Sequence, residues 1–369
     1  MTSALSRVAV RSKVLAHALG LRLARGPRAR PGEVRRVLIA HHLLAGDTLM
    51  LTPLLAKLRE RHAGAEVIMT VLPSLMPLYA TRPYGVRAVP FDPRRSSTLN
   101  ELLKNRGFDL ALVPGDNRFS WLAAALDAAW VIAFAGDRPA YKSWMVDQFV
   151  HYPDYPMAWA DMNTLLVDGP SPKKFSPADW PAPPCAPFER PAGRYAVLHV
   201  DSSTPLRMWE DEKWLALANA LQQKGLTPVW SAGPRGEAYV RRIDPQGKFA
   251  APGPKLDLAQ MWHLIAGAAL TVCPDTGIAH FGKLTFTPTI TLYGPTSEVL
   301  FGAGEFWRDA PFRGVTIPDF PCRDQITLFK REIHWVRRCQ RSTDECAEPR
   351  CMQAIGVGQV LAAVEGLGL

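Results

Sequence analysis

Short apolar runs of strand length, each followed by an amphipathic stretch of helix length, recur in two series along this 369-residue chain. Parallel strands covered by helices on both faces read as near-continuous apolar runs, so this alternation confines the chain to the α/β folds. In the first series, residues 36–42, 66–71, 108–113 and 130–134 predict strands, and 48–61 and 117–127 predict helices. In the second, 195–200, 227–232, 269–273 and 288–293 predict strands. Helices are predicted over 211–224 and 257–267, near Ile278, and at 356–364 as a closing element, with Asp257 as an N-cap. Prolines 170, 172, 177, 181, 183, 184, 187 and 191 lie between the series. Proline lacks the ladder donor and breaks helices, so 168–194 is a connector. The expected organisation is a basic extension (1–33), a Rossmann-like domain (34–167), the linker, and a second Rossmann-like domain (195–369). Two doubly wound parallel sheets of this kind present a cleft between the carboxyl ends of their strands, where open α/β folds bind ligands.

The formal charge is +9, and its location decides what it means. Residues 1–32 hold Arg7, Arg11, Lys13, Arg22, Arg25, Arg28 and Arg30 and no acid, and the rest of the chain carries 36 basic against 34 acidic side chains. A nearly neutral body argues against a nucleic-acid binder. No apolar run approaches the ~18 residues that span a bilayer, which excludes an integral membrane protein. On a helical wheel Leu5, Val8, Leu15, Leu19 and Leu23 share one face, with Arg7, Arg11, Arg22 and Arg25 beside it; Val10, Val14 and Leu21 fall on the other side of the arginines. Two readings stand for this tail. It is either a frayed, solvated extension or an interfacial helix laying its apolar face on anionic lipid, an association that would involve residues 1–30. A secretory signal is not expected, because no apolar core leads into a small-residue cleavage site, although an organelle transit peptide has a similar composition. Residues 25–32 form a linker either way.

Four strand-to-loop junctions carry chemistry. In Val272-Cys-Pro-Asp-Thr-Gly-Ile-Ala-His280 a strand ends, turns at Asp275-Thr276-Gly277 and enters a helix. The amides of Thr276, Gly277 and Ile278 at such a helix start form an anion cradle suited to a diphosphate, and His280 can add a donor. The plain alternative is that Asp275 only caps the helix and His280 packs in the core. Gly294-Pro295-Thr296 follows the next strand at the same edge. Asp201-Ser-Ser203-Thr204-Pro-Leu-Arg207-Met-Trp209 brings hydroxyls and a guanidinium, the right chemistry for phosphate oxygens, although Arg207 also reads as a surface charge before a helix. In the first half, Leu44-Ala45-Gly46-Asp47-Thr48 lets the backbone turn at Gly46 and sets Asp47 at a helix head, as an N-cap or as a carboxylate poised as general base.

Taken in order, these elements resemble glycosyltransferase family nine, the ADP-heptose:lipopolysaccharide heptosyltransferases. The resemblance runs from about Arg36 to the C-terminus. Its most specific stretch is Asp275-Thr-Gly-Ile-Ala-His280 with Pro288-Thr-Ile-Thr-Leu-Tyr-Gly-Pro-Thr296, supported by Gly46-Asp47, Met50-Leu-Thr-Pro-Leu-Leu55 and Arg207-x-Trp209-x-x-x-x-Trp214. It implies a GT-B fold and an inverting transfer from an ADP-sugar with no catalytic cofactor. Thr276, Gly277 and His280 would surround the diphosphate, Arg207 would supply positive charge and Asp47 would deprotonate the acceptor hydroxyl of a glycan or lipid-linked acceptor such as lipopolysaccharide core. Glu237, after Ser231-Ala-Gly-Pro234, would accept from ribose hydroxyls. The enzyme would work in the bacterial cytoplasm, on the inner face of the cytoplasmic membrane. Departures are His42-Leu-Leu-Ala45 where the family has Arg-Leu-Ser, Arg for Lys at 207, and Phe281-Gly-Lys-Leu-Thr after the histidine.

Cys322, Cys339, Cys346 and Cys351 crowd the last fifty residues at irregular spacings without a C-x-x-C. They read as a structural zinc or iron site, as buried thiols, or as surface cysteines; related protein heptosyltransferases carry a cysteine-bound iron there. Other functions stay open at this stage: a protein O-heptosyltransferase, a nucleotide-sugar epimerase, or a non-catalytic nucleotide-sugar-binding protein. The epimerase needs an acid–base set at a sugar C2 that the sequence does not assemble, and a silent binder would be expected to lose Asp47 or the charge at 207.

Overall fold

The computed structural model describes residues 2–24, 28–233, 236–252 and 256–369, with side chains from residue 7 onward. Arg25, Pro234 and the side chain of Leu5 therefore lie outside the described residues. The chain divides into two compact units, Met1–Tyr155 with Trp159–Lys173 and Thr327–His334, and Pro156–Ala158 with Lys174–Ile326 and Trp335–Leu369.

The first unit runs α1 (Thr2–Ala24), β1 (Arg36–Ile39), α2 (Ala45–Leu49), α3 (Thr52–Arg61), β2 (Glu66–Val71), β3 (Arg87–Pro90), α4 (Ser96–Leu102), β4 (Phe108–Val113), α5 (Phe119–Ala125), β5 (Ala128–Phe134), β6 (Gln148–Val150) and α6 (Trp159–Met162). Its six strands pair in parallel in the order β3-β2-β1-β4-β5-β6. β1 thus lies where the strand order reverses, and the crevice at its carboxyl end is the expected ligand position in such a sheet. The core packs Leu38, Ile68, Ala111 and Val131 of the sheet against Leu122 of α5 and Val10 of α1.

The second unit runs β7 (Tyr195–His199), α7 (Asp211–Gln223), β8 (Thr227–Ser231), α8 (Glu237–Ile243), α9 (Leu258–Ala266), β9 (Leu270–Pro274), α10 (Gly277–Thr285), β10 (Thr289–Tyr293), α11 (Glu298–Phe301) and β11 (Phe312–Thr316). Its parallel sheet has the order β11-β10-β9-β7-β8, with the reversal at β7. A hairpin, β12 (Thr327–Leu328) and β13 (Arg331–Glu332), belongs to the first unit, and α12 (Arg350–Gln353) and α13 (Val357–Glu365) complete the second. Trp214, Leu217 and Trp230 fill this second core together with Val272, Ile290 and Val360.

The proline-rich stretch holds no strand or α-helix, yet it is fastened down. Phe175 packs among Phe286, Phe306 and Trp307, Trp180 lies 5.8 Å from Trp262, and His263 Nε2 meets the Pro183 carbonyl at 2.8 Å. The N-terminal tail differs more from expectation. It is a 23-residue helix, and the face that packs on the body is the one bearing Val10, Val14 and Ala18, while Val8, Leu15, Leu19 and Leu23 stay exposed. The frayed reading gives way, because Val10 and Ala18 are fully buried and Asp147 binds Arg22 at 3.0 Å and Arg28 at 2.7 Å.

Candidate functional site

The carboxyl edge of the second sheet gathers three of the expected loops. Trp209 and Trp214 meet edge to face at 5.1 Å, and Trp209 Nε1 donates to the Ile355 carbonyl, so the loop after β7 is pinned to the core just beyond Arg207. The Arg207 guanidinium then reaches the loop after β9 and donates through Nη1 to the Asp275 carbonyl at 3.1 Å. One of its five N–H groups is spent there, and the others remain suited to an anion. Asp275 is buried; burial pushes its carboxyl up, and Arg207, the Thr296 hydroxyl, Lys283 and Arg338 oppose that push. Arg207, Asp275 and Thr296, from three separate loops, therefore belong to one electrostatic cluster.

α10 starts differently from the simplest expectation. Thr276, not Asp275, is the N-cap, and its hydroxyl accepts from the Ile278 amide at 3.3 Å. One of the three amides assigned to an anion is thus taken up by the protein itself, since a capping hydroxyl satisfies the first free donors of a helix. Gly277 opens the helix. His280 is buried, burial holds its imidazole well below the usual histidine range, and Nδ1 has no hydrogen-bond partner. It is a neutral ring. Gly282 permits the close seating of α10 on the sheet: a Cβ there would stand 1.9 Å from Thr289 Oγ1 of β10.

The Gly294-Pro295-Thr296 turn is buried and clamped from the C-terminal segment. Arg323 Nε donates to the Gly294 carbonyl at 2.7 Å, the Cys339 amide donates to the Pro295 carbonyl at 2.7 Å, and a Cβ on Gly294 would lie 2.2 Å from Met352 Sδ. Ser203 is exposed, and the half-buried Thr204 accepts from the Leu206 amide at 3.4 Å. Glu237 begins α8, is largely exposed, pairs with Arg241 at 3.2 Å and borders a cavity of about 260 Å³ with Val240, Asp244 and Phe249.

At the carboxyl edge of the first sheet, the predicted 48–61 helix is two helices, α2 and α3, broken at residues 50–51. Gly46 and Asp47 lie inside the first turn of α2. Gly46 is therefore helical, without the left-handed backbone that a sharp turn would demand. Asp47 is half-buried. Beside it, His41 Nδ1 accepts from the Leu43 amide at 3.2 Å, leaving a proton on a buried Nε2 that has no partner; burial, with His42 adding, lowers its pKa to about 3. His42 stacks on Phe119 at 6.4 Å and meets Phe91 edge to face at 6.2 Å.

The next loops of that edge hold a cluster that sequence reading missed. Buried Lys142 bridges Asp116 and Asp137 at 3.0 Å each. Arg331 of the β12–β13 hairpin donates to Asn117 Oδ1 at 2.7 Å and to the Ala135 carbonyl at 2.9 Å. Burial raises the Asp116 carboxyl, but hydrogen bonds from Arg118 and Lys142 prevail and bring it down to about 2. Lysines and arginines dispersed over two hundred residues of sequence give no local pattern; the only cue is a charge set among apolar neighbours, as at Lys283.

The four C-terminal cysteines do not form the metal site considered above. Among the described residues no group of three or more His, Cys, Asp or Glu is arranged to hold a metal ion. Cys346 Sγ instead donates to the Glu348 carbonyl at 3.3 Å, and Arg341 Nη1 approaches Cys339 Sγ at 3.6 Å. Burial, helped by Cys322, pushes the Cys351 thiol up to about 11, although Arg323 beside it pulls the other way. A structural site needs at least three converging ligands, and among the described residues these thiols do not supply them.

Two Rossmann-like parallel-sheet units with loops gathered at the strand ends define a GT-B fold. The profile of glycosyltransferase family 9 (heptosyltransferase) matches residues 97–326, and the chain belongs to that family. It is similar to lipopolysaccharide heptosyltransferase 1 of Pseudomonas aeruginosa, 26% identical over 320 residues that cover 80% of this chain and 88% of that protein. Its fold is similar to that of the E. coli heptosyltransferase WaaC with ADP, at a TM-score of 0.66 and 17% identity, covering 90% of this chain and 99% of the other. It is also similar to the iron-containing dodecameric glycosyltransferase TibC of enterotoxigenic E. coli, at a TM-score of 0.57 and 14% identity over 92% and 77% of the two chains. The chain is a glycosyltransferase enzyme.

Proposed function

We propose that this enzyme moves a heptose from an ADP-sugar to a hydroxyl of a lipopolysaccharide-core acceptor, with inversion at the anomeric carbon. The single observation that carries the donor half is the Arg207 guanidinium held against the Asp275 loop at 3.1 Å beside the Thr276-capped helix. As ADP departs, charge grows on its β-phosphate. A cation already fixed at that edge, with the amide of Gly277 and the neutral His280 ring, stabilises that charge most in the transition state. Ser203, Thr204 and the Gly294-Pro295-Thr296 turn complete the donor site, and Glu237 takes the ribose hydroxyls. Arg207 supplies in this scheme the positive charge that a metal ion would otherwise bring. Residues 195–326 and 335–369 would form the nucleotide-sugar domain, and residues 34–167 with the 327–334 hairpin the acceptor domain.

Asp47, in the first turn of α2, removes the proton of the attacking hydroxyl, and inversion requires that hydroxyl to attack opposite the leaving group. The P. aeruginosa relative supports lipopolysaccharide as the acceptor class, and the ADP-bound WaaC neighbour supports the nucleotide. No described helix is long and apolar enough to cross a membrane; the reading puts the enzyme peripherally on the inner face of the cytoplasmic membrane, with residues 1–30 against anionic lipid. A thermal-shift series with ADP, UDP, GDP and their sugars tests the donor, because a ligand bound only by the native state raises its melting temperature. ADP should give the largest rise. A larger rise with UDP or GDP discards the proposed donor.

A further inference from the structure

α1 has two apolar faces, and only one is used by the protein. Val10, Val14 and Ala18 pack against α4, α5 and Met145, while Arg22 and Arg28 converge on the half-buried Asp147 and Lys13 reaches Asn100 Oδ1 at 2.6 Å. A helix held by one face and tied at its end cannot roll to hide the other. That other face carries Val8, Leu15, Leu19 and Leu23, spaced seven, four and four residues apart and exposed by 61%, 42%, 46% and 86%. Such spacing draws one continuous stripe along a helix. Arg7 and Arg11 are exposed as well, and Arg11 lies beside the stripe on the wheel. The stripe is not alone on the surface. Trp121, packed in the same cluster as Ala18, carries Trp144 at 6.3 Å and donates from Nε1 to the Tyr141 carbonyl; Trp144 is 65% exposed and Tyr141 52%.

We propose that the first unit bears a composite face for an anionic bilayer, made of the Val8–Leu15–Leu19–Leu23 stripe, the arginines beside it, and Trp144 with Tyr141. The proposal rests on the peripheral reading above and adds to it which surface touches lipid. Aliphatic side chains enter the acyl boundary, Trp and Tyr settle at headgroup level, and the guanidinium groups meet lipid phosphates. Charge selects this occupant over a second copy of the chain. A two-fold pairing of α1 stripes would set the Arg7 and Arg11 rows of both copies together, with no acid among residues 1–32 to answer them. The docked face explains why the stripe is presented outward in one direction, which a free amphipathic tail would not do.

The test uses the full chain and co-sedimentation with vesicles of phosphatidylglycerol and phosphatidylethanolamine, against pure phosphatidylcholine. The wild type should sediment with the anionic vesicles and scarcely with the neutral ones. Leu15→Glu with Leu19→Glu should lower that partition at least tenfold with an unchanged melting temperature, because both side chains already face water. Trp144→Ala should lower it severalfold, and Trp144→Phe should remove part of the lipid-induced blue shift of tryptophan emission. Failure of the wild type to sediment would remove the peripheral reading and this face together. Sedimentation that survives both the double glutamate and the Trp144 changes would remove the face and leave peripheral binding standing. Lipid-independent dimers that the double glutamate dissolves, with no anionic preference, would assign the stripe to a second copy and overturn the proposal.

Discussion

The two sheets are both parallel and both reverse their strand order, one at β1 and the other at β7, but their carboxyl edges are built in opposite ways. At the edge of the second sheet the loops are locked: Arg207 on the Asp275 carbonyl, and Arg323 and Cys339 on the Gly294–Pro295 backbone. At the edge of the first sheet, the outer loops are locked by Lys142 and Arg331, but the turn with Asp47 is a five-residue helix after two histidines that each keep a buried ring nitrogen without a partner. One edge is built as a preorganised electrostatic site, which is where charge must be met at once in a group transfer. The other holds Asp47, the base we propose, on a short, half-buried element, the kind of setting in which a base can accept a proton and release it to water.

That contrast can be broken in order of effect. Asp47→Asn should lower kcat by about 10²–10⁴-fold, the usual worth of a positioned base, while donor affinity by calorimetry stays put; a kcat within threefold of wild type takes the base role away. Arg207→Ala should weaken ADP binding by roughly 10–100-fold, in line with loss of a charge-assisted contact of about 1.5–3 kcal/mol, and an unaltered dissociation constant would dissolve the second edge as the diphosphate site. Gly282→Ala should destabilise the protein by about 1–3 kcal/mol, since Thr289 is β-branched and cannot easily yield to a Cβ 1.9 Å away; a melting temperature equal to wild type would mean that α10 is free to shift.

The smallest effect is one of pH. Burial lowers His41 to about 3 and His199 to about 4, with Asp201 opposing the latter. Both are depressed below an unfolded value of about 6.5, so their contribution is fully present above pH 6.5 and is lost as pH falls from there toward 4 and 3. The unfolded chain binds the protons first, at up to about 1.4 kcal/mol per pH unit for each histidine. His199→Gln should make the fall in melting temperature between pH 7 and 5 shallower; an identical slope would show that the ring protonates without unfolding.

Much of the fold was legible because its signals are local. The predicted strands at 66–71 and 108–113 coincide with β2 and β4, the 211–224 helix with α7 to within one residue, and Asp257 caps α9 with its carboxylate on the Gln260 amide at 2.8 Å. Short or weakly patterned elements were not legible: β3, β6, α4, α8, β11 and the β12–β13 hairpin carry too few residues for a period to emerge. Within the site, Arg207 and the Asp275–Gly277 turn could be read from motif and strand ends. Arg323, Lys283 and Arg331 could not, since each acts on a backbone or loop distant in sequence.

Sequence alone determined the two series of strands and helices, the connector between them and the order of the polar turns, because apolar period, proline and capping chemistry act between near neighbours. Tertiary structure decided which of two apolar stripes on α1 is covered, that Thr276 rather than Asp275 caps α10, and that residues 327–334 join the first unit. These are choices between alternatives of similar local energy. Only contacts across long stretches of chain separate them: Ala18 against Trp121, Asp275 among Arg207 and Lys283, Arg331 against Asn117.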